Sequence, residues 1–241
     1  MTEQVIRIAY DSVGDLGPVN VLRLPGFDEG QGFGARTALT LLRDGHISEF
    51  VNREAPLLTE GAVEKRFDPT KPEAVNAYAR RIGRLASDGV VYWLAEAGDQ
   101  EPLGVLKASP SLSGWERRLT SGRPAARNAR ANMYINDLMV NPDLQRHNIG
   151  RTLVHAAIVG GGYKPKATAL ASVYTQADQA AHFFEGLGFR YTTDLEDVTV
   201  FGDTYPLEQA QFEGLTLGDT KQLIEEKVPD LRNYLQHKAT V

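Results

Sequence analysis

Asp137-Leu138-Met139-Val140-Asn141-Pro142-Asp143-Leu144-Gln145-Arg146-His147-Asn148-Ile149-Gly150-Arg151-Thr152-Leu153-Val154 is the stretch that decides how this chain is read. Met133 to Val140 has the apolar content of a strand, and Asn141-Pro142 ends it. A short polar turn then leads into a helix from Gly150 to Val159, stopped by Gly160-Gly161-Gly162. Asn148 and Gly150 are residue types that tolerate left-handed backbone angles. The N–H groups that open such a helix lack intrahelical partners and lie at the positive end of its dipole, so the turn can cradle a phosphate. Gly150 lets a phosphate approach the backbone, and Gln145, Arg146 and Arg151 add side-chain donors. An ordinary strand-to-helix turn with a glycine accounts for the same residues, so spacing alone leaves both readings open.

Upstream, Val90 to Ala95 and Leu103 to Lys107 read as a hairpin across the polar turn Gly98-Asp99-Gln100-Glu101. Downstream, Ala167 to Thr175 reads as a strand, Ala177 to Leu187 as a helix and Phe189 to Thr192 as a strand. Val198 to Phe201 and Tyr205 to Phe212 are further strand candidates, as are Val5 to Tyr10 and Val19 to Leu24. Ala35 to Arg43, Ile47 to Arg53 and Lys71 to Ser87 read as helical, and Thr220 to His237 as a terminal helix interrupted near Pro229. From Val90 the order is strand, strand, strand, helix, strand, helix, strand. That is an α/β or α+β chain built on a mixed sheet. No linker divides the chain, so residues 1–241 are expected to form a single domain.

The 241 residues include 26 Lys+Arg, 31 Asp+Glu and no Cys, with a net charge of −5. Without Cys there is no disulfide framework, thiolate nucleophile or cysteine zinc site. A hydrophobic fraction of 42% supports a sizeable core. The mild acidity disfavours a general nucleic-acid binder. No apolar run approaches the roughly 18 residues that span a bilayer, and the first residues lack a signal-peptide layout, so a cytoplasmic protein is expected. Neither a G-x-S-x-G elbow nor a G-x-x-x-x-G-K-[ST] loop is present.

The quoted stretch resembles the GNAT superfamily of acyl-CoA-dependent N-acyltransferases. The family pattern is Val-x-Pro, two or three residues, then Gln/Arg-x-x-Gly-x-Gly/Ala opening a helix. Here it is carried by Val140, Pro142, Gln145, Asn148 and Gly150, with Asn148 in place of the first glycine. A second signature, Asn-x-x-Ala-x-x-Phe-Tyr-x-x-Leu-Gly-Phe, is matched at Ala180, Phe183, Leu187, Gly188 and Phe189, with Phe184 where the family has Tyr. The resemblance is strong over about residues 133–190. It implies a GNAT-like fold: a central mixed and mostly antiparallel sheet flanked by helices, with splayed central parallel strands. Around it lie a variable N-terminal region 1–70, an arginine-rich loop 109–130 and a C-terminal helical tail 213–241.

The resemblance further implies that acetyl-CoA is the acyl donor, with no metal. Leu138, Met139 and Val140 of the strand, Gln145, Arg146, His147, Asn148, Ile149, Gly150 and Arg151 of the turn, and Phe184 would bind it. An amine would attack the thioester directly. Position 136, where relatives carry a Glu base, is Asn136. Asp137 or His147 is then the candidate base and Tyr134, Tyr174 or His182 the candidate acid, although strand alternation separates the faces of residues 136 and 137. With Phe184 and Asn136 in place of the family's acid and base, the alternative is a catalytically weak acyl-CoA-binding or partner-binding module.

Other features have bland readings beside them. Gly30-Gln31-Gly32-Phe33-Gly34-Ala35 formally matches a dinucleotide pattern but does not directly follow a strand, and a loop over the substrate pocket fits better. Arg117, Arg118, Arg123, Arg127 and Arg130 form a solvated loop or a contact for an anionic group. His155 and His182 read as packing or surface residues in helices. Asp194, Glu196, Asp197 and Asp203 read as a solvated turn. Leu223, Ile224, Val228, Leu231, Tyr234 and Leu235 form an apolar face that packs on the domain or on a second copy of the chain.

Overall fold

The computed structural model describes residues 4–24, 91–98, 102–109, 131–174, 178–191, 198–200, 203–205 and 209–240. The helices expected between residues 35 and 87, the Gly30–Ala35 pattern, most of the arginine-rich loop and Asp194, Glu196 and Asp197 lie outside the described residues.

Among the described residues, nine strands form one sheet. In chain order they are β1 (Gln4–Tyr10), β2 (Val19–Leu24), β3 (Val91–Ala97), β4 (Pro102–Ser109), β5 (Ala131–Val140), β6 (Thr168–Tyr174), β7 (Arg190–Tyr191), β10 (Gln209–Thr216) and β11 (Tyr234–Thr240). The spatial order is β11-β1-β2-β3-β4-β5-β6-β10-β7, and β8 (Val198–Val200) pairs separately with β9 (Asp203–Tyr205). Every pairing in the large sheet is antiparallel except β5 with β6. That one parallel pair needs a crossover, supplied by helix α1 (Ile149–Gly160). Helix α2 (Asp178–Glu185) follows β6, and α3 (Leu217–Lys227) follows β10.

Ten of the twelve residues of α1 are buried, which is the pattern of a core helix rather than a surface one. Trp93, Ala95, Leu106, Ala108, Met133 and Ile135 join the core that contains α1. Tyr92, Leu94, Val105, Lys107 and Tyr134 are also buried but lie outside that cluster, on the alternate positions of the same strands and so on the other face of the sheet. Burial on both faces explains why β3 reads as a continuous apolar run. Gly162, with φ +70°, supplies the left-handed stop expected after α1.

The tail departs from the expected interrupted helix. Helix α3 ends at Lys227, a 3-10 turn spans Pro229–Arg232, and residues from Tyr234 on form β11, paired with β1. Proline removes a helical N–H, and the open edge of β1 then offers the chain hydrogen-bond partners. Ile224, Val228 and Leu231 pack into the core of this chain, whereas Leu235 is exposed. Among the described residues no helix is long and apolar enough to cross a membrane.

Candidate active site

The β5–β6 ladder runs Ala131↔Thr168, Met133↔Ala169, Tyr134↔Leu170 and Ile135↔Ala171, and goes no further. Both strands continue, β5 paired on its other side with β4 to Val140↔Gly104 and β6 with β10 to Tyr174↔Gln209. The sheet is therefore split between residues 136–140 of β5 and 172–174 of β6. This is the splay of the central parallel strands that the family resemblance implies. Leu138 and Val140 pack partly against the core beside the split.

At the end of β5, Asn141 halts the strand. Its side-chain oxygen accepts from the Asp143 N–H (3.1 Å), and its carbonyl accepts from the Leu144 N–H (2.9 Å). The next residues are forced through two left-handed conformations, Arg146 at φ 72° and Asn148 at φ 64°. Asn148 meets the expectation; Gly150 does not, because it is not among the residues with positive φ. Glycine is required there by a close approach instead: a Cβ would sit 3.0 Å from the Phe183 ring. The two sequence signatures thus meet in space, Gly150 of the first under Phe183 of the second.

The first hydrogen bond of α1 runs from the Thr152 N–H to the Asn148 carbonyl (2.9 Å), which leaves the N–H groups of Ile149, Gly150 and Arg151 without intrahelical partners. Arg151 donates from Nη1 to the Asn148 side-chain oxygen (2.7 Å), while its Nε is buried without a partner among the described residues. Gln145 and Arg146 are exposed. Ile149 is buried in the core. A turn with free N–H groups, an orphaned guanidinium nitrogen and an exposed Arg fits a pyrophosphate. His147 is engaged from outside the turn: its Nδ1 lies 2.8 Å from Asp15 Oδ1, in the loop between β1 and β2.

The candidate acid and base positions are set by an irregularity in β5. Lys107 pairs with Asp137 and Ala108 with Ile135, so Asn136 has no opposite residue. This is a β-bulge. Strict alternation would place residue 136 on the face of Tyr134; the bulge gives that register position to residue 137. Tyr92, Lys107 and Asp137 form one row across β3, β4 and β5, and Tyr134 pairs with Ser109, two residues beyond Lys107 and so on the same face. That face is the one away from α1. Tyr174 is the last residue of β6, across the split. Phe184 sits in the core, its ring 5.2 Å from those of Phe183 and Phe189. No signal in the sequence announced the bulge or the Asp15 contact.

Residues 88–191 match the family described as acetyltransferase (GNAT) domain. The split sheet and the turn lie in or beside this matched segment, which is similar to a GNAT acetyltransferase domain. No protein of curated function matches the chain by sequence. Among solved structures, the chain is similar to an acetyltransferase from Thermus thermophilus, with 19% identity over 81% of this chain and 96% of that one (TM-score 0.46). It is also similar to an IAA acetyltransferase from Bacillus cereus, with 16% identity over 82% and 99% (TM-score 0.41). A spermidine N-acetyltransferase chimera from Vibrio cholerae shares 13% identity over 74% and 92% (TM-score 0.43).

Proposed function

We propose that the chain is an acyl-CoA-dependent N-acyltransferase that moves an acetyl group from acetyl-CoA to a primary amine of a small molecule, peptide or protein. The observation that carries this reading is the split between β5 and β6, which leads to a turn with unpaired N–H donors. Bound acetyl-CoA supplies the activated acyl group. Leu138, Met139 and Val140 hold its arm along β5, and the backbone of Ile149 to Arg151 with Arg146 and Arg151 holds its phosphates. The chain then contributes mainly position: it fixes the thioester and excludes water while an amine attacks the carbonyl carbon. Asp137 takes the proton of the incoming ammonium, and Tyr134 or Tyr174 returns one to the departing thiolate.

Arg146 gives the sharpest test, because its charge and its backbone pull in opposite directions. It is exposed and left-handed, a conformation that disfavours any residue with a Cβ. Arg146→Gly is expected to melt no lower than wild type, since relief of the left-handed strain offsets the added freedom of the unfolded chain. Its affinity for acetyl-CoA by calorimetry is expected to fall roughly tenfold, the scale of one charge-assisted hydrogen bond. Absence of acetyl-CoA binding by the wild-type chain would overturn the proposal. Gly150 is a poorer probe, since a Cβ there would lie 3.0 Å from the Phe183 ring, so a substitution perturbs core packing together with the turn.

A further inference from the structure

The contact between the phosphate turn and the first loop of the chain is unusual in its charge. A turn suited to anions already carries a carboxylate, Asp15, hydrogen-bonded through Oδ1 to His147 Nδ1 at 2.8 Å. The loop is tied to the tail and lies beside the turn. The Gly14 N–H donates to Asp230 Oδ2 of the Pro229–Arg232 turn (3.3 Å), and a Cβ built on Gly14 would lie 3.8 Å from the Asn148 amide nitrogen. Within the loop, Val13 N–H donates to the Gly17 carbonyl (3.0 Å), and Val13 itself is fully buried. The loop backbone is thus anchored, whereas the Asp15 side chain is 73% exposed and the His147 side chain 36%. Such a pair breaks easily, because water takes up the carboxylate at little cost.

We propose that Asp15 is a specificity-determining latch on the phosphate turn: it holds His147 when no anion is present and yields that imidazole to a phosphate of the donor. This rests on the acyl-CoA reading above. Two anions cannot both be satisfied by one imidazole, and a carboxylate left within a few ångströms of a phosphate repels it. Asp15 therefore lowers the affinity for phosphate-bearing donors and leaves phosphate-free thioesters unaffected. The His147 hydrogen bond holds the Asp15 carboxyl below its ordinary value, so the latch carries its charge at neutral pH.

The test is calorimetric binding of free CoA and of S-acetylpantetheine, which lacks the pyrophosphate, to wild type, Asp15→Asn, His147→Ala and the double variant. Asp15→Asn is expected to bind CoA about 3- to 10-fold more tightly at low salt, the scale of one screened surface charge, and to lose that gain near 0.5 M salt. Its affinity for S-acetylpantetheine should not change, and the gain should vanish in the His147→Ala background. Unchanged or weaker CoA binding by Asp15→Asn, in a chain whose wild type binds CoA, would overturn the latch and leave the proposed function standing. An equal gain for the phosphate-free thioester, or a gain that persists without His147, would also overturn it. A wild type that binds no CoA would overturn both. Melting temperatures check that each variant folds; Asp15 is exposed, so its substitution should leave the fold intact.

Discussion

Replacing Asp137 with Asn is expected to lower kcat/KM for acetyl transfer by roughly 100- to 10,000-fold, the range contributed by a positioned general base. The calorimetric affinity for acetyl-CoA should stay within about twofold, because the phosphate turn is a separate element. The bulge at Asn136 moves residue 137 into the row of Tyr92 and Lys107, on the face that also holds Tyr134. The rate is read by thiol release with an amine on which the wild type turns over. The rate–pH profile of wild type should lose its acidic limb in the variant. If Asp137→Asn turns over normally, residue 137 is not the base. The companion Tyr134→Phe should then show whether this face takes part at all.

The second large effect concerns stability. His155, at the centre of α1, is wholly buried and joins three elements. Tyr10 of β1 donates from its hydroxyl to Nδ1 (2.8 Å), and Nε2–H donates to Glu225 of α3 (3.0 Å), which Lys221 also contacts. An ionised carboxylate only accepts, so Nε2 carries a proton; burial disfavours a second one and leaves Nδ1 to accept from Tyr10. Tyr234 packs its ring edge-on against His155, centroids 5.5 Å apart. His155→Leu strands the buried Tyr10 hydroxyl and is expected to cost about 1–3 kcal/mol, seen as a lower urea midpoint with an unchanged slope.

The pH dependence has a defined sign. Burial pushes His155 below its ordinary value of 6.5, so its contribution is complete above 6.5 and is lost as pH falls toward the lower folded value. Burial by itself raises Glu225, but hydrogen bonds from Lys221 and His155 outweigh it and hold the carboxyl below 4.5; its contribution is lost at still lower pH. Burial, with Tyr234 and Glu225, lifts Tyr10 well above 10.0, so stability declines again as pH rises past 10. Wild-type stability should therefore be flat between about pH 6.5 and 10. The fall that begins just below 6.5 should be absent in His155→Leu. A wild type whose urea midpoint does not change between pH 7 and 5 would refute the assignment of a neutral buried imidazole.

Most of the fold was legible because its signals are local. A strand ended by Asn141-Pro142, a turn of residues tolerant of left-handed angles and an apolar helix follow from neighbouring residues alone. So does the order of strands and helices from Val90 onward. The tail was misread because an apolar period of a few residues does not distinguish a helix from a turn and an edge strand. Only the vacant edge of β1 decides that residues 234–240 extend. Gly150 is expected from the sequence to tolerate left-handed angles and to admit a phosphate, yet it is not among the glycines with positive φ, and a protein side chain is what lies against it. The structure places Phe183, 33 residues further along the chain, in that role.

The sequence by itself determined the mixed sheet, the strand that stops at Asn141-Pro142, the helix after it and, through two spaced signatures, the resemblance to one class of domain. Each rests on hydrogen-bonding and steric preferences that act over a few residues. Only the tertiary structure decided which face residue 137 shares, that His155 is a bonded core residue, and that Asp15 meets His147 across 132 positions of chain. Those depend on strand register and on contacts between distant segments. A one-residue slip in a sheet exchanges the two faces, and no local preference records where such a slip occurs.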